Sequence, residues 1–176
     1  MPFTIRKLEK EDAAAFKAVR LEGLINHPEA FRQSAREFEL SSVEDIARLI
    51  PQPDDSRAGF ILGGFLGIDD LVGVVALQAS AQDKRTHIGV LWGMYVRPEA
   101  RRQGLGARLV RALLELALNE TDLQVIQLTA ATANLPAIRL YESLGFRSYG
   151  REPRALKVGD IYYDQEHMIL ELRPSH

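Results

Sequence analysis

The spacing of apolar residues switches repeatedly between two periods, and each switch marks an element. Phe3 to Lys7 alternates apolar with polar residues and predicts a strand. Glu11 to Leu24 changes to helical spacing, with Ala14, Phe16, Val19, Leu21 and Leu24 on one side and acids in the first turn. Pro28 ends that continuity. Ser42 to Ile50 predicts a second helix, with Ser42 as N-cap and Asp45 closing a capping box, and Pro51 to Ser56 reads as loop. Gly59 to Leu66 and Leu71 to Ala79 are apolar runs joined by Gly67–Asp70, a hairpin whose glycines weaken the first strand. Ala81 to Arg85 is a polar turn. His87 to Val96 follows as a strand antiparallel to its predecessor and is stopped by Pro98.

From Gly104 to Leu118 the period is helical again. Leu105, Leu109, Ala112, Leu113, Leu116 and Ala117 take one face, and Arg108, Arg111 and Glu115 take the other. Asn119 to Asp122 ends this helix. Val125 to Ala131 predicts a buried strand, parallel to the one ending at Val96 because a helix crosses between them. Pro136 to Leu144 reads as a short helix entered through Asn134 and closed by Gly145. Phe146–Tyr149 and Ile161–Leu172 are the last strands, paired through an Arg151–Asp160 connection. With no linker or repeat, residues 1–176 form a single α/β (α+β) domain with a mixed, mostly antiparallel sheet.

Composition narrows the function classes. A hydrophobic fraction of 46% and a charged fraction of 26% are ordinary for a globular protein, and 176 residues suffice for one sizeable core. A formal net charge of −2 argues against nucleic acid as a partner. Arg97, Arg101, Arg102, Arg108 and Arg111 instead make a local basic cluster suited to a small polyanion. No apolar run reaches membrane-spanning length, so no membrane role and a cytoplasmic location are expected. The absence of cysteine excludes disulfides, thiolate metal sites and a cysteine acyl-enzyme. His27, His87, His167 and His176 are scattered, so no metal is expected.

The chemistry concentrates where the strand ending at Val96 feeds a glycine-containing turn and a helix. Such a turn holds an anion because the first helical N–H groups lack partners and the helix dipole is positive there. Gly104 and Gly106 carry no side chain to keep a phosphate away. The turn is not a Walker A loop, since Ala107-Arg108 follows the last glycine. It is not a dinucleotide fingerprint, since Leu109 stands at the third small position and Gln124 to Ala130 lacks the acid.

Arg101-x-x-Gly104-x-Gly106, preceded by Tyr95-Val96-x-Pro98, resembles the acyl-CoA pyrophosphate loop of the GCN5-related N-acetyltransferase (GNAT) superfamily. Asn134-x-x-Ala137-x-x-Leu140-Tyr141-x-x-x-Gly145-Phe146 resembles that superfamily's second signature, in the same order. The resemblance implies a sheet of about six or seven strands flanked by about four helices, with a splayed parallel central pair. It also implies direct transfer from acetyl-CoA, as co-substrate, to a primary amine of a small molecule, peptide or protein. The alternative is a non-catalytic acyl-CoA-binding or sensor domain. A homodimer is common in that superfamily, although nothing in the sequence specifies an interface.

Carried onto this chain, the resemblance assigns the pyrophosphate to the amides of Arg101, Arg102, Gln103, Gly104, Gly106 and Ala107, and the pantetheine arm and thioester carbonyl to backbone groups of Met94, Tyr95 and Val96. Asn134 also contacts the coenzyme on this reading, and Tyr141 protonates the leaving thiolate. Bare sequence reads Tyr141 as amphipathic and Asn134 as a helix N-cap. Many such proteins place a base Glu on the strand before the loop, but His87 to Val96 contains no acid. The base is therefore open among Glu22, His27, His87, Asp164, His167 and water. Acceptor selectivity is expected from His27–Phe31 and Tyr162–Tyr163, and Trp92 either lines the same cleft or, the favoured reading, packs in the core.

Overall fold

The computed structural model of the protein describes residues 3–52, 55 and 58–173. Part of the Pro51–Ser56 loop and His176 lie outside the described residues. The elements run β1 (Phe3–Lys7), α1 (Ala13–Asn26), α2 (Ala35–Glu39), α3 (Val43–Leu49), β2 (Gly59–Leu66), β3 (Asp70–Ala79) and β4 (Ile88–Val96). They continue with α4 (Leu105–Glu120), β5 (Val125–Ala131), α5 (Leu135–Ser143), β6 (Arg147–Val158) and β7 (Ile161–Glu171).

One seven-stranded sheet takes the order β1-β2-β3-β4-β5-β7-β6. Every neighbouring pair is antiparallel except β4 and β5, which run parallel across the α4 crossover, as the helix between them requires. Each face of the sheet carries its own core. Leu105, Leu109, Val110, Leu113 and Ala117 of α4 pack on one face with Ile126, Leu128, Tyr141 and Met168. Phe16, Val19 and Leu24 of α1, Phe38 of α2 and Ile46 of α3 pack on the other with Ile61, Val74 and Tyr95. Leu109 and Leu113 are wholly buried, each contributing about 1.5–3 kcal/mol through its removal from water. Among the described residues no helix is long and apolar enough to cross a membrane.

The Ser42 capping box forms as predicted, with the Asp45 N–H donating to Ser42 Oγ and the Ser42 N–H to Asp45 Oδ2, both at 3.1 Å. Helix α2 has no apolar periodicity to predict it, although Ser34 and Glu37 close a second capping box at 3.1 and 3.0 Å. One expectation needs correction. Residues 151–158, expected as part of a connection, belong to β6. That strand pairs with β7 as far as Val158↔Ile161. Register shifts between Ser148 and Gly150 and between Glu152 and Leu156 disrupt its alternation, which hides the strand from a periodicity argument.

Candidate active site

The parallel pairing of β4 and β5 covers only Ile88↔Val125, Gly89↔Ile126 and Val90↔Gln127. Beyond Val90 the strands part, and the cause lies in β4. Its register with β3 steps from Tyr95↔Val74 to Trp92↔Ala76, three residues against two, so β4 holds one extra residue. Gly93, at φ +67°, supplies the backbone conformation that such a bulge needs. The bulge also resets side-chain parity: Leu91, Met94 and Val96 face the α4 core, while Trp92 and Tyr95 face the α1 core.

The parted strands open a cavity of about 510 Å³, walled by Leu91–Met94 of β4 and Gln127–Ala131 of β5. It is lined from both faces of the sheet. Ala137 and Tyr141 of α5 reach it from the α4 side, and Arg20, Phe31 and Trp92 from the α1 side. Met168 packs in the α4 core, so its neighbour His167 on β7 points to the opposite, α1 side, and it too lines the cavity. His167 Nε2 lies 2.9 Å from Glu152 Oε2, and the His167 ring meets Tyr149 edge-on at 5.9 Å. A carboxylate on Nε2 favours the tautomer that keeps Nδ1 as acceptor. Tyr141 is 5% exposed, and burial pushes its phenol well above the ordinary tyrosine range.

The glycine turn stands at the start of α4. Gly104 takes a left-handed conformation at φ +79°, and Arg102 does so at φ +60°. The Arg108 N–H to Gly104 carbonyl bond, 3.1 Å, is the first of the helix, which leaves the Leu105, Gly106 and Ala107 amides without helical partners. Asn134 Oδ1 accepts from the Ala137 N–H at 3.3 Å and also lines the cavity, so it serves as cap and wall together.

The expected basic cluster disperses. Arg97 pairs with Glu22 at 3.0 Å, and Arg108 donates to the Phe3 carbonyl at 2.9 Å. Arg101 folds back, donating from Nε to the Val96 carbonyl at 2.8 Å with its guanidinium over the Tyr95 ring. Glu22 is engaged by Tyr95 Oη and Arg97, and Asp164 by Arg151 and the Arg154 N–H. His27 contacts Arg101 at 3.3 Å, and His87 precedes β4 at the paired end of the parallel strands. Of the side chains weighed as a base, His167 is the one that lines the cavity. Within the expected selectivity segments, Phe31 lines the cavity, whereas Tyr162 is 51% exposed and stands outside it. Of the two places weighed for Trp92, the cleft is the one observed: it is a half-buried cavity wall packed against the α1-side core. Gly93, Arg20 and Glu152 were not anticipated. Only Gly93 left a signal, as a glycine inside an apolar strand.

The split parallel pair and a helix start with free amides are the features that the GNAT resemblance implies. A model of the acetyltransferase (GNAT) family matches residues 25–146, and the chain belongs to that family as an N-acetyltransferase. It is similar to the catalytic subunit of the N-terminal acetyltransferase B complex of Arabidopsis thaliana, with 27% identity over 172 residues, 98% of this chain and 84% of that protein. A mycothiol acetyltransferase of Thermobispora bispora is 34% identical over 137 residues, 77% of this chain, which spans only 43% of that protein's length. A structure of yncA from Salmonella typhimurium with its cofactor acetyl-CoA shares the fold at a TM-score of 0.84 and 21% identity, covering 100% of this chain and 97% of that one.

Proposed function

We propose that the protein transfers an acetyl group from acetyl-CoA directly to a primary amine, without an acyl-enzyme. The observation that carries this reading is one cavity reached by Tyr141 from one face of the sheet and by the Glu152–His167 pair from the other. The residues present fit acetyl-CoA. The β4 edge from Met94 to Val96, freed from β5, suits an amide-bearing pantetheine arm, and the amides of Arg102, Gln103, Gly104, Gly106 and Ala107 suit the pyrophosphate, with Arg101 alongside. Acetyl-CoA supplies an activated acyl carbon and a thiolate leaving group.

The protein's own task is to manage protons on either side of that carbon. An acceptor ammonium must lose a proton before its nitrogen can attack. His167 Nδ1, with Nε2 held by Glu152, removes it on the α1 side. Tyr141 supplies a hydrogen bond, and then a proton, to sulfur on the α4 side, and the proton shed by the acylated nitrogen restores its hydroxyl. Backbone N–H groups of the bulged β4 edge stabilise the oxyanion, an effect worth about 3 kcal/mol per well-aimed donor.

His167→Gln is expected to lower kcat/KM by about 10²-fold or more at neutral pH. It should spare acetyl-CoA affinity. An unchanged kcat/KM would assign the base role to water. Gly106→Val tests the coenzyme path separately. A Cβ at Gly106 would sit 3.1 Å from Met94 Cε and 3.5 Å from Leu140 Cδ2, so a branched side chain crowds the passage between β4 and α5. The acetyl-CoA Kd measured by calorimetry should rise by at least about 10-fold, which is a cost of about 1.4 kcal/mol. The overall test is acetyl-CoA-dependent thiol release across polyamines, amino acids, aminoglycosides and peptides with free N-termini. Release with one acceptor class supports the reading, and silence throughout with acetyl-CoA bound contradicts it. Because the chain contains no cysteine, the protein adds no thiol signal of its own.

A further inference from the structure

Among the described residues the buried polar or charged side chains are Arg20, 8% exposed, and Gln165, 1% exposed. Gln165 accepts from Arg32 Nη2 at 3.4 Å. Arg20 has no such compensation. Its guanidinium lies 5.1 Å from the Trp92 ring centroid, 5.2 Å from Phe31 and 5.9 Å from Phe38, an aromatic surround without a carboxylate or carbonyl of the described residues in hydrogen-bond reach. Burial alone lowers its pKa, to about 10, so it remains a cation at neutral pH. Cation–π contacts offset part of its desolvation, but a buried charge without a counterion costs stability. A second donor nearby is also orphaned, since Trp92 Nε1 is buried with no hydrogen-bond partner among the described residues.

Arg20 and Trp92 line the same cavity, on the α1 side of the sheet. The Gly93 bulge makes room for the guanidinium, since a Cβ there would lie 3.2 Å from Arg20 Nη1. An unpaired guanidinium lining this cavity calls for an occupant that brings acceptors and one negative charge. The coenzyme's phosphates do not fill this role, because their amide cradle stands at the start of α4 on the opposite face. Arg32, at the rim, already has a counterion in Glu152 at 3.6 Å.

We infer that Arg20, beside the Trp92 ring, forms a carboxylate subsite for the acceptor, so that the amine acetylated here belongs to a molecule that also carries a carboxylate. This rests on the transfer reading above and narrows its substrate class. The carboxylate can come from a free amino acid or from an acidic side chain next to a peptide N-terminus.

The chain's single tryptophan is Trp92, so its fluorescence reports occupancy directly. The probes are N-acetyl-L-alanine and N-acetyl-L-methionine against their primary amides, and N-acetyl-Met-Glu amide against N-acetyl-Met-Gln amide, all with CoA bound. At least one carboxylate probe should give a saturable change, with its neutral partner about 30-fold weaker. The pair that discriminates identifies the source of the carboxylate. Arg20→Met should reduce carboxylate binding to the level of the neutral partner, leave CoA affinity unchanged and raise Tm, whereas a structural arginine would give a lower Tm. Arg20→Lys, which keeps the charge without the fork, should give an intermediate loss and serves if the Met variant does not fold. Equal binding of acid and neutral probes, no response to any acid while CoA binds, or an Arg20→Met variant that keeps the preference would each overturn the proposal. Discrimination with no amine ever acetylated would instead count against the transfer reading.

Discussion

Tyr141→Phe is expected to lower kcat by about 10²-fold while leaving the acetyl-CoA Kd unchanged. The substitution removes one oxygen and keeps the ring that packs against Phe146 at 5.8 Å with a 68° interplanar angle. Stability should therefore barely change. Burial raises the Tyr141 pKa by disfavouring the phenolate, so the hydroxyl stays protonated throughout the working pH range. In the proposed transfer it acts as a standing donor toward a sulfur that becomes negative only as the thioester breaks. The sign of the shift carries a further consequence: no alkaline fall in activity over the working range should arise from Tyr141. Rapid-quench measurement of the chemical step separates this effect from product release. An unchanged rate would remove Tyr141 from the mechanism.

Gly93→Val should have a comparable effect through geometry. The residue sits at φ +67°, where a β-branched side chain is strained by about 1–3 kcal/mol, and its first carbon would meet Arg20 Nη1 at 3.2 Å. Relieving both conflicts means rearranging the bulge, which would alter the parity of Met94 and the divergence of β4 from β5. We expect a lower Tm together with a loss of kcat/KM of at least about 10²-fold, since displacement of reacting groups by about 1 Å has that cost. Gly93→Ala should fall between the two. A Val variant with reduced Tm and full specific activity would show that the bulge does not position the site.

Much of this architecture was legible in the sequence because each element sits where local pattern and tertiary packing agree. Helix α4 and strand β5 were found near their observed limits by apolar spacing, and the parallel pair followed from the crossover rule. The failures have physical causes. The Ser34-x-x-Glu37 signature is the local mark of α2, which at five residues is too short to show a periodicity of its own. Strand β6 is polar and twice bulged, so its identity comes from pairing with β7.

At the site, the glycine turn and Asn134 were visible because their conformations constrain residue type. The dispersal of the arginines was not. Sequence adjacency cannot show that Arg101 folds back onto Val96 or that Arg97 turns to Glu22. His167 and Glu152 come together only across a bulged hairpin, and Arg20 reaches the cavity from another helix. No spacing rule connects them.

In the proposed reading acetyl-CoA occupies the split between β4 and β5, and amide hydrogen exchange with and without it locates the coenzyme. Protection should concentrate at Met94–Val96 and at Arg102–Ala107, with little change along β1 and β2 at the far edge of the sheet. Protection absent from both of those segments, or centred on β1 and β2, would place the donor elsewhere.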